Sequence, residues 1–334
     1  MKLRNAANEF TVYRRGAGYA ANTVRLDRSA LNKLFDVVGD IELRSITPMH
    51  LDTLFASHSH LSAGTLNTTH SNLGAFFKWA STRGHIRSEA NPLLTRRYLK
   101  DPPRDRQRVA VSDFPRLLDV SGHPQTRAVL AIAINLMLRG GEISSLKIGD
   151  LNLESGEIRI TVHKSGGLID MMPISSDLDR EMRRWLTWYS AEVGELLPNY
   201  YLVPAKRTSP MRLPNGQISH QKFTVDPNAP MSKIADVAKV ALKNLGWEEM
   251  HCEGIHTIRR SAARGAFDEL VGRGYDGALR IVQSMLHHKN SSMTERYLGL
   301  SVDRKQRDDI VRGQSLYPSL HAANVVRMDR VANG

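Results

Sequence analysis

GIHTIRRSAARGAFDELVGRGYDGALRIVQSMLHHKNSSMTERYLGL, running from Gly254 to Leu300, is the stretch on which the reading of this chain turns. His256 and Arg259 stand at i and i+3, so on a helix an imidazole and a guanidinium share a face and converge on one small ligand, most naturally an anion. His288 and Tyr297 cannot share a helical face, because the residues between them rotate the chain by roughly half a circle. A break must separate them. Lys289-Asn290-Ser291 carries turn-forming residues, and Ser292-Met293-Thr294-Glu295 fits a capping box, which places Tyr297 near a helix start. A phenol held beside His and Arg has an economical use as a nucleophile whose target is an anionic centre such as a phosphodiester.

The chain of 334 residues is long enough for two domains at roughly 100–200 residues each. A net charge of +12 and a pI near 9.9 favour a polyanionic partner, since neutralising phosphates with Lys and Arg drives nucleic-acid binding. Cys252 is the sole cysteine, which excludes an intrachain disulfide and a Cys-rich zinc site and makes a reducing, cytoplasmic compartment the expectation. The N-terminus lacks the apolar core of a secretory signal. The longest apolar run, Ala128 to Leu138, is interrupted by Asn135 and falls far short of the roughly 18 residues of a membrane span, so it reads as a buried helix.

The first hundred residues read as helices. Asn22 or Thr23 is expected to cap one that carries Val24, Leu31, Leu34, Phe35 and Val38 and ends at Gly39; Thr47-Pro48 starts a second, and Ser62 opens a third that closes at Gly84. Phe76, Phe77 and Trp79 read as core, and His58, His60 and His70 as surface. Residues 101–109 have linker composition, with Arg104, Arg106 and Arg108 as candidate DNA-backbone contacts. Further on, Arg139 emerges from the buried run with Glu142 placed to brace it. Residues 156–174 describe a β-hairpin with Lys164 beside its Ser-Gly-Gly tip. Helices are expected over 177–193 and 232–245, separated by a long surface loop from Val203 to Asn228.

Taken in order, Arg139 with Glu142, Lys164, His256 with Arg259, Leu286-His287-His288 and Tyr297 resemble the motif set of the tyrosine recombinase, or phage integrase, family, over essentially the whole chain. Two positions depart from the family pattern: Leu136-Met137-Leu138 replaces Thr-Gly-Leu, and His287 stands where glycine is usual. The resemblance implies a mainly α fold with a small antiparallel β-sheet. Residues 1–100 would be a helical, SAM-like core-binding domain, 101–109 a linker, and 110–334 an α+β catalytic domain with a C-terminal tail, the two domains clamping DNA.

By the same resemblance, Arg139 and Arg259 would hold the scissile phosphate and Tyr297 would attack it. Lys164 would protonate the leaving 5′ oxygen, His256 would manage the tyrosine proton, and His288 would donate a hydrogen bond to the phosphate. The implied activity is site-specific cleavage and rejoining of double-stranded DNA through a 3′-phosphotyrosine and a Holliday junction, without metal, ATP or cofactor. The implied assembly is a homotetramer on paired core sites, with a possible directionality factor and no arm-binding domain within Met1 to Tyr19. Rival expectations are a type IB topoisomerase, a DNA-binding protein of recombinase descent without catalysis, and a metal-dependent nuclease; the last lacks clustered carboxylates.

Overall fold

The computed structural model describes residues 1–101, 106–162, 166–212, 215, 218–248 and 253–300, with side chains described except at 207–212 and 218–223. Lys164, Arg104, Cys252 and the C-terminal tail lie outside the described residues. The chain is mainly helical and divides into two compact units, Met1–Pro103 and Arg104–Gly334.

The first unit holds α1 (Leu3–Gly16), α2 (Ala21–Val38), α3 (Pro48–Ser57) and α4 (Ala63–Thr82). The sequence suggested three helices here; α1 escaped notice because no side chain caps it, although Leu3, Ala6 and Phe10 recur at helical spacing and are buried. α2 likewise starts without the expected cap, and Asn22 accepts two bonds from the Arg25 guanidinium instead. Gly39 at φ 66° ends α2, and the Ser62 hydroxyl accepts from the Thr65 amide at 3.3 Å to start α4, both as expected. Phe76, Phe77 and Trp79 are core residues, as read. His70 is not at the surface: it is buried, with Nε2 bonded to the Arg96 carbonyl at 3.1 Å and its ring packed by Tyr98.

The second unit is built on α6 (Pro124–Leu136), whose residues Ala128 to Ala133 are completely buried. α5 (Phe114–Asp119) precedes it and the two-turn α7 (Gly140–Ser145) follows. A three-stranded antiparallel sheet has the order β1 (Leu151–Asn152), β2 (Glu157–Val162), β3 (Leu168–Pro173). Ile158, Ile160 and Val162 alternate into the core, as the period of two demands. α8 (Ser176–Val193) is capped by Ser175, which accepts from the Leu178 amide at 3.2 Å, and turns Leu178, Met182, Trp185 and Tyr189 inward.

The expected loop between Val203 and Asn228 is instead an antiparallel ribbon of β4 (Pro204–Arg212) and β5 (Ile218–Pro230). Its two strands pair with each other, and their sequence lacks the apolar alternation by which strands are recognised. α9 (Ile234–Asn244), α10 (Ile255–Gly272), α11 (Ala278–Met285) and α12 (Ser291–Leu298) complete the unit, with α10 packed against α6 and α9. Among the described residues no helix is long and apolar enough to cross a membrane.

Candidate active site

α10 begins at the centre of the unit. His256, in its first turn, is exposed, whereas Arg259 one turn later is 2% exposed. A guanidinium this deep needs partners. Nη2 of Arg259 donates to the Leu286 carbonyl at 2.7 Å, and Nη1 lies 3.6 Å from the Glu142 carboxylate. That Nη1 is buried without a hydrogen-bond partner among the described residues, so one donor of Arg259 remains available within the site.

Arg139 arrives from the other side of the core. Met137 at φ 50° breaks α6, and Arg139 in extended conformation becomes the residue before α7. Glu142 reaches back to it: one carboxylate oxygen accepts from the Arg139 amide at 2.8 Å, the other from the Arg139 guanidinium at 2.9 Å. The oxygen that takes the amide also faces Arg259, so a single buried carboxylate braces both arginines. Burial opposes ionisation of Glu142, but hydrogen bonds from Arg139 and the charges of Arg139 and Arg259 outweigh it and hold the carboxyl below its usual range.

The break between His288 and Tyr297 is a Schellman turn at the end of α11. The His287 amide bonds to the Ser284 carbonyl at 2.9 Å, and the His288 amide to the Gln283 carbonyl at 3.1 Å. His287 occupies the left-handed position, φ 51°, that glycine normally fills, which costs a non-glycine residue about 1–2 kcal/mol. This is the physical content of the glycine-to-histidine departure. The two imidazoles diverge: Nε2 of His287 meets Asp170 of β3 at 2.8 Å, and Nδ1 of His288 meets the fully buried Thr294 hydroxyl at 3.1 Å.

Two expectations about the next helix need correction. Asn290, not Ser292, caps α12, its side chain accepting from the Met293 amide at 3.0 Å. The extended Asn290 gives a two-turn helix, whereas a start at Ser292 would leave too little chain before Gly299. Tyr297 therefore sits in the last turn rather than the first. Its hydroxyl donates to the His256 carbonyl at 3.3 Å, its ring stands 5.4 Å from that of His288 at an interplanar angle of 83°, and the Arg259 guanidinium lies 5.9 Å from its ring centre.

Burial raises the Tyr297 pKa, opposed by the charges of Arg259 and Arg260. Burial, with Arg259, Arg139 and His287, pushes His288 down to about 4, so its imidazole is neutral at pH 7.

Arg139, Glu142, Arg259, His288 and Tyr297 are thus brought into one cluster with the His256 backbone. The linker arginines part company. Arg106 is exposed, whereas Nη2 of Arg108 donates to the Leu298 carbonyl at 3.2 Å, capping α12 together with Arg264 at 3.3 Å. Residues 107–109 also lie along α10: Arg260 donates to the Gln107 carbonyl at 2.6 Å and the Ser261 hydroxyl accepts from the Val109 amide at 2.8 Å. Thr294, Asp170, Arg260 and Arg264 were missed by sequence reasoning. Thr294 alone had a signal, since it falls one turn before Leu298 on the α12 face that carries the buried residues.

A family model described as "Phage integrase family" matches residues 107–304. The chain belongs to that family. Among similar proteins of the integrase family, tyrosine recombinase XerA of Pyrococcus horikoshii is 25% identical over 293 residues, covering 86% of this chain and 87% of the relative. Tyrosine recombinase XerC of Shigella flexneri serotype 5b is 30% identical over 133 residues, 39% of this chain and 43% of the relative. The fold is that of lambda integrase. A lambda integrase dimer bound to a COC′ core site matches with a TM-score of 0.66 at 17% identity, covering 89% of this chain and 77% of that one, and a lambda integrase tetramer bound to a Holliday junction matches at 0.64 with the same identity and coverage.

Proposed function

We propose that this integrase-family chain is a site-specific DNA recombinase that cleaves and rejoins double-stranded DNA through a 3′-phosphotyrosine intermediate and a Holliday junction. The observation that carries the reading is the bracing of Arg139 and Arg259 on one buried carboxylate beside the Tyr297 phenol. Two preorganised guanidiniums are suited to the extra negative charge of a pentacoordinate phosphorus, and they require no reorganisation as it forms.

In the forward step the Tyr297 oxygen bonds to phosphorus and the bond to the 5′ oxygen breaks. The phenolic proton passes to His256, and Lys164, assigned by its place in the sequence, delivers a proton to the departing 5′ oxygen. Neutral His288 accepts from the Thr294 hydroxyl at Nδ1 and donates from Nε2 to a non-bridging oxygen. Attack on the phosphotyrosine by a 5′-hydroxyl from a partner duplex reverses the sequence and rejoins strands without an external energy source.

By analogy with the lambda integrase complexes on a core site and a Holliday junction, the partners are duplex core sites and further copies of this chain, assembled as a homotetramer. Residues 1–100 act as the core-binding domain, and the setting is the cytoplasm, where the DNA lies.

The deciding experiment uses nicked duplexes with a randomised core. The protein is incubated with the library, denatured, and the covalently trapped strands are sequenced. Recovery of a defined motif joined through its 3′ phosphate to Tyr297 is expected. Attachment through another residue, or relaxation of any plasmid at the same rate, would overturn the assignment in favour of a different nucleophile or a topoisomerase.

A further inference from the structure

We propose that His287 is a positioning residue, holding His288 in the site through a tether to Asp170 that joins the α11–α12 corner to the β2–β3 hairpin. The inference rests on the recombinase reading above. A residue required only for the Schellman turn would be glycine, which enters the left-handed region without penalty. Histidine at φ 51° accepts strain and gains reach. Its imidazole is buried, and its hydrogen bond spans to Asp170, far away in sequence and paired with Ile160 in the middle of the hairpin.

The tether acts where it matters for His288. The His288 amide closes the turn on Gln283, and the Gln283 side chain donates back to the His288 carbonyl at 3.1 Å, so the backbone of His288 is fixed on both sides by the corner that His287 anchors. Its ring is then presented to Thr294 and Tyr297. The neighbouring carbonyl of Leu286 is the acceptor for Arg259, so slack in this corner would reach the arginine as well. The hairpin end of the tether is two strands of sheet that also carry Ile158, Ile160 and Val162 into the core, which makes β3 a firm anchor. No such anchor is available to a glycine.

The test compares His287→Gly, His287→Gln and Asp170→Ala in the full chain. Glutamine places its amide nitrogen where Nε2 of histidine stands and keeps the bond to Asp170. Two readouts are used. The first needs no DNA: imidazole titration followed by NMR in 15N-histidine-labelled protein. His288 is expected to titrate near 4 in the parent and in His287→Gln, and to move up toward the ordinary range in His287→Gly and Asp170→Ala while the folded spectrum and melting temperature are kept.

The second readout is the single-turnover rate of adduct formation on the duplex recovered from the library. It is expected to fall about ten- to a hundredfold in His287→Gly and Asp170→Ala, with half-saturating DNA unchanged, and to be restored in His287→Gln. The double variant should be no slower than either single. An unmoved His288 titration in His287→Gly, or an adduct rate equal to the parent, would overturn the tether. Should the parent itself form no adduct, the recombinase reading fails, and the titration still decides whether His287 positions His288.

Discussion

Glu142→Gln is the perturbation that probes the centre of the site most directly. Glutamine keeps the volume and retains an oxygen that can accept from the Arg139 amide, but it removes the charge that faces both guanidiniums. Arg259 is then left buried with its Leu286 bond and no counter-ion. Removing one partner of a buried ion pair costs about 3–5 kcal/mol, and the retained cap argues for the lower end. For a unit of this size that corresponds to a fall in melting temperature of roughly 6–12 °C.

The pH dependence of Glu142→Gln has a definite sign. The carboxyl of Glu142 is held below its ordinary value of 4.5, so its contribution is fully present above that value and is lost as pH falls through the lower folded value. The parent should therefore lose stability on the acid side, and Glu142→Gln should lose less over the same interval. Added phosphate should raise the melting temperature of the variant more than that of the parent, because an anion between the arginines replaces the missing carboxylate. Scanning calorimetry in matched buffers measures all three. A variant that melts within a degree of the parent, with an unchanged acid limb, would refute the bracing of two arginines on one carboxylate.

Tyr297→Phe should abolish the covalent adduct on the recovered duplex while gel-shift affinity stays within about threefold; a persisting adduct would move the nucleophile. His288 is depressed to about 4 by burial and by the arginines, so the unfolded chain takes up its proton first and stability falls as pH drops from about 6.5 toward 4; His288→Asn should flatten that part of the unfolding curve. Arg106→Ala should reduce the magnitude of the salt slope of DNA binding by about 1, as expected for one lost phosphate contact, whereas Arg108→Ala should leave the slope alone and slow adduct formation, because its guanidinium caps α12. Gly299→Ala should also slow the adduct, since at φ 76° its Cβ would fall within 2.2 Å of the Arg108 guanidinium.

Much of this was legible in the sequence because it rests on local rules. The spacing of His256 and Arg259, the Thr47-Pro48 start, the Ser62 cap and the alternation of Ile158, Ile160 and Val162 each follow from a periodicity or a capping residue acting within a few positions. What stayed hidden depends on long-range contact. The reason His287 can stand at a glycine position is Asp170, more than a hundred residues away. Arg108 reads from the sequence as a candidate DNA-backbone contact, and only the fold brings the Leu298 carbonyl of α12 beside it. The α12 start was misassigned because Ser292 with Glu295 fits a capping box locally, whereas Asn290, read as part of the turn, is the residue whose side chain accepts from the Met293 amide.

The placement of the parts suggests a division between what is fixed and what can move. Arg139, at the start of α7, and Arg259 of α10 stand on elements that pack against α6, whose residues Ala128 to Ala133 are buried, and Glu142 locks them to each other, so the two-arginine half of the site inherits the rigidity of the core. Tyr297 is attached differently. It rides on a helix of two turns, held at one end by the Schellman corner and at the other by bonds to the Leu298 carbonyl from Arg108 and Arg264. Its hydroxyl rests on the His256 carbonyl at 3.3 Å, a long bond that a phosphate can displace at little cost. In the proposed mechanism a nucleophile that bonds to phosphorus and later releases it needs a bearing that tolerates small displacement, whereas the groups that stabilise charge must not yield, and the different anchorage of α12 and of the two arginines fits that division.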